Sequence, residues 1–147
     1  MTLIAQIKHP DVRALAERAI QFVESFPWCT QVTGCARGFA TAGVLGVFRI
    51  DLQPAFGADP SVWAVVGDVP PAYLAYEDGD SWQDALRGYV HEMQAWVDAV
   101  AAGANVDDLI PVNVPATKEY AAMLDSRLGF IRRNLIDVDP ASLRSDV

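Results

Sequence analysis

The stretch Trp63-Ala-Val-Val-Gly-Asp-Val-Pro-Pro-Ala-Tyr-Leu74 decides the fold of this chain. Its first four residues form an unbroken apolar run, which predicts a fully buried strand from Trp63 to Val66. Pro70 and Pro71 fix two φ angles and remove two N–H donors, so the hydrogen-bond ladder of a sheet cannot continue through them. We therefore expect a rigid corner that holds Asp68 at a strand end, where its carboxylate serves a binding site or satisfies the turn.

The residues on either side of this stretch predict its neighbours in a sheet. Apolar side chains alternate from Val44 to Leu52, which predicts a strand, and residues 53–61 carry the prolines and glycine of a loop. The strand over 62–67 is then expected to pair antiparallel with the first, and residues 72–77 are a candidate third strand. Residues 28–43, rich in threonine and glycine, predict an irregular connection with room for a short strand.

Apolar residues at helical spacing predict three helices, over residues 10–26, 82–102 and 117–136. Asp80 or Ser81 is a suitable N-cap for the second helix, Gly103 ends it, and Thr117 is a suitable N-cap for the third. We expect Tyr120, Leu124 and Leu128 to face inward.

These elements predict an α+β fold: a small antiparallel sheet of two to four strands packed against about three helices, in the order α-β-β-(β)-α-α. The simplest layering places the helices on one face of the sheet. A length of 147 residues suits one domain, residues 1–147, with residues 139–147 as a frayed tail.

Composition limits the partners. The net charge is −8 and the pI is near 4.5, which argues against nucleic acid and anionic membrane surfaces, because both attract clustered Lys and Arg. A basic protein partner fits this charge, although acidity also serves solubility alone. No signal peptide and no apolar run of about 18 residues is present, so we expect a cytoplasmic protein in which Cys29 and Cys35 are free thiols.

Motifs for metal binding and catalysis are incomplete. His91-Glu92 begins the zinc-protease pattern His-Glu-x-x-His, but position 95 is alanine, so the second ligand one helical turn later is missing. The remaining cysteines and histidine, Cys29, Cys35 and His9, lack the short paired spacings of zinc sites. We therefore expect no metal, no cofactor and no catalytic residues.

Carboxylates and tyrosines cluster around the third candidate strand. Tyr73 and Tyr76 flank an acidic turn and lie on opposite strand faces if that segment is extended. Tyrosine beside carboxylates is typical of protein-recognition surfaces. The predicted partner-binding residues are Asp68, Tyr73, Tyr76, Glu77, Asp78 and Asp80.

The segment from Trp63 to Leu74, together with the amphipathic helix after it and Pro111-Val-Asn-Val-Pro115, resembles a family of small bacterial proteins of unknown function. Those proteins carry the sequence Val-Val-Gly-Asp-Leu-Pro-Pro-Ala-Tyr-Leu, and Val69 stands here where leucine is usual. The resemblance covers residues 44–136. It implies a bacterial origin but no activity, cofactor or catalytic residue.

These observations lead to two hypotheses about function, which belong to different classes. The leading hypothesis is a non-catalytic acidic domain of a bacterium that binds a protein partner, of the immunity-protein or secretion-chaperone type. The alternative is a small-molecule enzyme or ligand-binding domain whose pocket lies between the sheet and helix 82–102, with polar groups from Asp68, Arg49 or His91. A third hypothesis is a homodimer formed through a sheet edge or a helix face.

Overall fold

The computed structural model describes residues 2–54, 57, 59–139, 142 and 143. In chain order its elements are β1 (Thr2–Leu3), a 3₁₀ turn (Ile4–Gln6), α1 (Pro10–Glu24), β2 (Cys29–Thr41), β3 (Leu45–Pro54), β4 (Ser61–Gly67), β5 (Ala72–Ala75), α2 (Trp82–Ala101), α3 (Lys118–Ile131) and a π-helical turn (Arg132–Ile136). The α+β class is confirmed. The tail predicted for residues 139–147 falls largely outside the described residues.

The sheet is antiparallel and has five strands in the order β1-β2-β3-β4-β5, one more than the largest number predicted. The predicted pairing of the two central strands is confirmed, with Val47 opposite Val65. The third candidate strand also forms, although β5 ends at Ala75, two residues earlier than expected. It pairs with β4 and lies at one edge of the sheet.

The prediction that all helices lie on one face of the sheet is wrong. Val47, Trp63 and Val65 pack in one core with α2 and α3, whereas Phe48 and Ala64 pack in a second core with α1. The continuous apolar run of β4 explains this arrangement, because a strand that is apolar at every position needs cover on both faces.

The prediction of an irregular connection over residues 28–43 is also wrong. Strand β2 has 13 residues and pairs with β3 over its whole length, interrupted by three register shifts that accommodate its irregular sequence. Gly38 is needed there for close packing, since a Cβ on this residue would lie 2.7 Å from the Cβ of Trp82 at the start of α2.

The helices begin where their caps predict. The Ser81 hydroxyl accepts a hydrogen bond from the Asp84 N–H, and the Thr117 hydroxyl accepts one from the Tyr120 N–H. Gly103, with φ of 70°, follows the end of α2 as expected. Leu124 and Leu128 are buried, but Tyr120 is 40% exposed, so its predicted inward orientation is wrong. Within the described residues, no helix has both the length and the apolar character needed to cross a bilayer.

Candidate functional site

The corner after β4 requires glycine at its first position. Gly67 has φ of 137°, and a Cβ built on it would lie 2.3 Å from the carbonyl oxygen of Val44. The next N–H, that of Asp68, donates to the same Val44 carbonyl at 2.8 Å. The chain is therefore locked against the turn that precedes β3.

Two helices on opposite faces of the sheet also hold the corner. The hydroxyl of Tyr89 on α2 donates to the Pro70 carbonyl at 2.6 Å, and the Arg18 guanidinium on α1 donates to the Gly67 carbonyl at 3.4 Å. Tyr89 is fully buried, and burial raises the pKa of its hydroxyl, which stays protonated as a donor. The corner is consequently a fixed scaffold for the side chains around it.

The Asp68 carboxylate faces solvent and pairs with Arg127 on α3. The Nε and Nη2 atoms of Arg127 lie 3.3 and 3.4 Å from the two carboxylate oxygens. The Asp68 carboxylate does not accept a hydrogen bond from the backbone two or three residues on, because residues 70 and 71 are prolines and have no N–H to donate. Because the Asp68 side chain is 70% exposed, this pair contributes at most about 1 kcal/mol to stability.

A cavity of about 300 Å³, the corner cavity, lies between the corner and α3. Four polar side chains border it, and the rest of its wall is largely apolar. The polar four are Asp68, Asn113, Tyr120 and Arg127.

A larger cavity of about 530 Å³, the aromatic groove, lies on the other side of Pro71. It is bordered by the end of α1, the start of β5 and the extended segment 110–113. Its lining residues are Phe22, Ser25, Phe26, Pro71, Ala72, Tyr73, Ile110, Pro111, Val112 and Asn113. Pro71 and Asn113 also line the corner cavity, so the two cavities adjoin.

The aromatic groove rests on a cluster of four aromatic rings in mutual contact. The Phe26 ring lies 5.1 Å from Phe22, 5.2 Å from Trp28 and 4.9 Å from Tyr73, measured between centroids. Trp28 and Tyr73 are themselves 4.8 Å apart. Mutual packing of this kind fixes the rings in place, and Tyr73 still leaves 38% of its surface exposed. The groove therefore offers a preformed apolar surface.

The aromatic groove lies beside an open strand edge, that of β5. Strand β5 is the last strand of the sheet and pairs only with β4 among the described strands. No backbone hydrogen bond joins its outer edge to other described residues. An edge of this kind can accept an added strand from another polypeptide.

The structure separates the two predicted tyrosines. Tyr73 borders the aromatic groove, whereas the Tyr76 ring lies 5.5 Å from Trp63 on the opposite face of the sheet. The Tyr76 hydroxyl accepts a hydrogen bond from Arg49 at 3.0 Å, and Arg49 also binds Asp51 at 3.0 Å. Tyr76 is thus held by polar contacts with other residues of the same chain.

The predicted acidic residues also differ in their surroundings. Glu77 and Asp78 are exposed just beyond β5. The Asp80 carboxylate accepts a hydrogen bond from the Glu77 N–H at 2.9 Å, which closes the turn before α2. Asp68 lies at the corner with Arg127. The six predicted partner-binding residues are therefore spread over four places, and of these six only Tyr73 borders the aromatic groove.

The polar groups considered for a small-molecule site are also dispersed. Asp68 borders the corner cavity, Arg49 lies in the network with Tyr76, and His91 borders a shallow cavity of about 260 Å³ on α2. Between the sheet and α2, the space is occupied by buried side chains such as Tyr89, Met93 and Trp96.

Both cysteines are buried free thiols, as predicted. Burial, and secondarily the negative charge of Asp51, raises the pKa of Cys35 to about 12. Burial also raises the pKa of Cys29. Within the described residues, no group of three or more His, Cys, Asp or Glu side chains is arranged to hold a metal ion.

Two walls of the aromatic groove were not predicted from the sequence. Phe22 lies in α1 and Phe26 lies just after its end, whereas the segment 110–113 follows α2, so these walls are far apart in the chain. The available signal was weak: Phe22 lies beside, not on, the apolar stripe of α1 that contains Ala19 and Val23. Searches of protein-family models, curated proteins and solved structures found no match to this chain.

Proposed function

We propose that this chain is an acidic, non-catalytic protein-binding domain that holds an extended apolar segment of a partner in the aromatic groove. The observation that carries this proposal is a preformed groove of about 530 Å³ with an exposed tyrosine, Tyr73, beside an open strand edge.

The groove offers both of the interactions that an extended segment needs. The outer edge of β5 supplies backbone hydrogen bonds, which set the direction of an added strand. Phe22, Phe26 and Tyr73 supply apolar surface for alternate side chains of that segment. Each large apolar side chain that becomes buried stabilises the complex by about 2 kcal/mol before the entropy of association is subtracted.

Charge indicates the chemistry of the partner. Glu24 precedes Ser25 of the lining, and Asp107 and Asp108 lie just before Ile110, while none of the described residues that line the groove is Lys or Arg. With a net charge of −8, these carboxylates favour a segment whose apolar residues are flanked by Lys or Arg. Glu77 and Asp78, beyond the far end of β5, extend this acidic surface.

The size and the charge support a bacterial binding protein of the immunity-protein or secretion-chaperone type, with a basic toxin or effector as its partner. A cytoplasmic location fits the two free thiols, because reducing compartments keep cysteines unpaired. In this proposal Tyr73 is the main contact residue. Asp80 chiefly maintains the turn before α2, whereas Tyr76 is bound to Arg49 and Asp68 pairs with Arg127.

The test is a comparison of two matched variants. A partner captured from the native host is purified, and its affinity for the chain is measured by calorimetry. We expect Tyr73→Glu to weaken binding at least tenfold, because it places a charge on the apolar wall. Leu3→Glu makes the same type of change at an exposed hydrophobic residue on β1, away from the groove, and should leave affinity unchanged. Equal affinities of the two variants would contradict the proposal.

The corner cavity favours a second candidate function, the binding of a small molecule. Asp68, Asn113, Tyr120 and Arg127 converge on an otherwise largely apolar cavity, which is the usual composition of a ligand site. A screen of small carboxylates by thermal shift tests this candidate. A ligand whose stabilisation is lost in Arg127→Gln and kept in Arg133→Gln would support it.

A further inference from the structure

Helix α3 exposes large apolar side chains although its opposite face is buried. Among the described residues, five large hydrophobic residues are exposed to solvent by more than a third, and three of them lie on α3: Tyr120 at 40%, Met123 at 50% and Phe130 at 46%. The inward face consists of Ala121, Leu124, Leu128 and Ile131. Exposed large hydrophobic residues grouped on one helix mark an interaction surface more often than isolated ones do.

The outward face has a regular spacing. Glu119, Ala122, Ser126, Gly129 and Arg133 recur at steps of three and four residues, so they follow one line along the helix. Met123 and Phe130 adjoin this line. The Arg133 side chain lies along the same face, since a Cβ built on Gly129 would be 3.1 Å from its Nη1 atom.

The two ends of this line carry opposite charges. Glu119 lies at the start of α3, and Arg133 lies in the π-helical turn that follows it. In the described part of the chain, neither side chain forms an ion pair. The face is therefore complementary to a copy of itself turned end for end, whereas a uniformly basic partner would meet Arg133.

We propose that the chain forms a two-fold symmetric homodimer in which α3 packs antiparallel against α3 of a second copy, with the axis at Ser126. This register places Glu119 opposite Arg133 of the second copy and Ala122 opposite Phe130 of the second copy. The small side chain leaves room for the large one, and the symmetry forms each contact twice. The antiparallel arrangement also brings opposite helix dipole ends together.

The expected dimer is weak. Fourteen residues of α3 span about 21 Å, so the two helices bury an area near the lower limit of specific interfaces, on the order of 1,000 Å² in total. We expect a dissociation constant on the order of 10 μM. None of the α3 residues lines the aromatic groove. The dimer can therefore be tested independently of partner binding in the groove.

Sedimentation velocity over 1 μM to 1 mM tests the dimer. The wild-type chain should shift from monomer to dimer in this range, Leu3→Glu should behave in the same way, and Phe130→Glu should remain monomeric. Circular dichroism of each variant establishes that the fold is retained. A wild-type chain that stays monomeric at 1 mM, or a dimer that Phe130→Glu leaves intact, would overturn the proposal.

Charge reversal tests the antiparallel register. Glu119→Arg and Arg133→Glu should each weaken the dimer about threefold to tenfold, because each places two pairs of like charges across the interface. The double variant should regain most of the wild-type affinity. A double variant weaker than either single variant would rule out this register.

Discussion

Gly67 sets the geometry of the corner on which both cavities depend. Its positive φ and the 2.3 Å approach of a built Cβ to the Val44 carbonyl leave no room for a side chain. The following residues are then held by hydrogen bonds to Val44 and from Tyr89. A single backbone conformation therefore places Asp68 toward α3 and Pro71 between the two cavities.

Replacing Gly67 by alanine should destabilise the fold by about 3 kcal/mol or more, because it adds a backbone clash to an unfavourable φ. Gly79→Ala is the matched control. Gly79 also has a positive φ, of 90°, but a Cβ there meets no atom of the described residues within 4 Å, so we expect a loss of about 1 kcal/mol. Urea denaturation measures both values. Equal losses would show that the clash at Gly67 is relieved by movement of the corner.

Cys35 should make stability depend on alkaline pH. Its pKa is raised by burial to about 12 from 9.0, so the folded chain holds the thiol proton more tightly than the unfolded chain. The resulting stabilisation is complete below pH 9 and is lost as the pH rises toward 12. The free energy of unfolding should fall more steeply over this window in wild type than in Cys35→Ala, by up to about 1.4 kcal/mol per pH unit. Parallel curves would contradict a buried, protonated thiol.

At the scale of the elements, the sequence predicts the helices better than the sheet. Caps such as Ser81 and Thr117 act through neighbouring residues, so local sequence contains the information. The full length of strand β2 was not predicted because its threonines and glycines weaken the apolar alternation. Its stability comes from pairing with β3, which its own sequence does not reveal. The exposed position of Tyr120 depends on how α3 packs against the rest of the chain, which its own spacing does not specify.

The cap of α2 gives a prediction at this scale. Ser81 and Asp84 exchange hydrogen bonds, and the bonds from the Ser81 N–H and hydroxyl lower the pKa of Asp84. Ser81→Ala should lower the free energy of unfolding by about 1 kcal/mol. Ser126→Ala, a change at an exposed serine within α3, should have little effect. Thermal unfolding at a low protein concentration compares the two variants, and an equal loss in both would argue against a specific cap at Ser81.

At the scale of the whole molecule, the sheet is covered on both faces and apolar surface remains exposed in two regions. The buried run of β4 contained enough information to predict both covering layers, since each of its faces is apolar. The aromatic groove was not predictable in the same way. Its walls come from α1, β5 and segment 110–113, and one sequence does not reveal which distant segments meet.

Electrostatics should govern the rate of partner binding at this scale. A net charge of −8 attracts a basic partner over a distance that salt shortens. We expect the association rate constant to fall about tenfold between 20 and 300 mM salt, while the dissociation rate constant changes less. Surface plasmon resonance with the purified partner measures both constants. An association rate that does not change with salt would exclude a basic partner.

Site-specific photo-cross-linking in the native host tests the central claim most directly. A benzophenone side chain is introduced at position 73, beside the aromatic groove, or at position 3, which is more exposed and is not part of the groove lining. The account predicts a discrete cross-linked protein at position 73 that is absent at position 3. Position 73 without a cross-linked protein, or the same product at both positions, would contradict a partner-binding role for the groove.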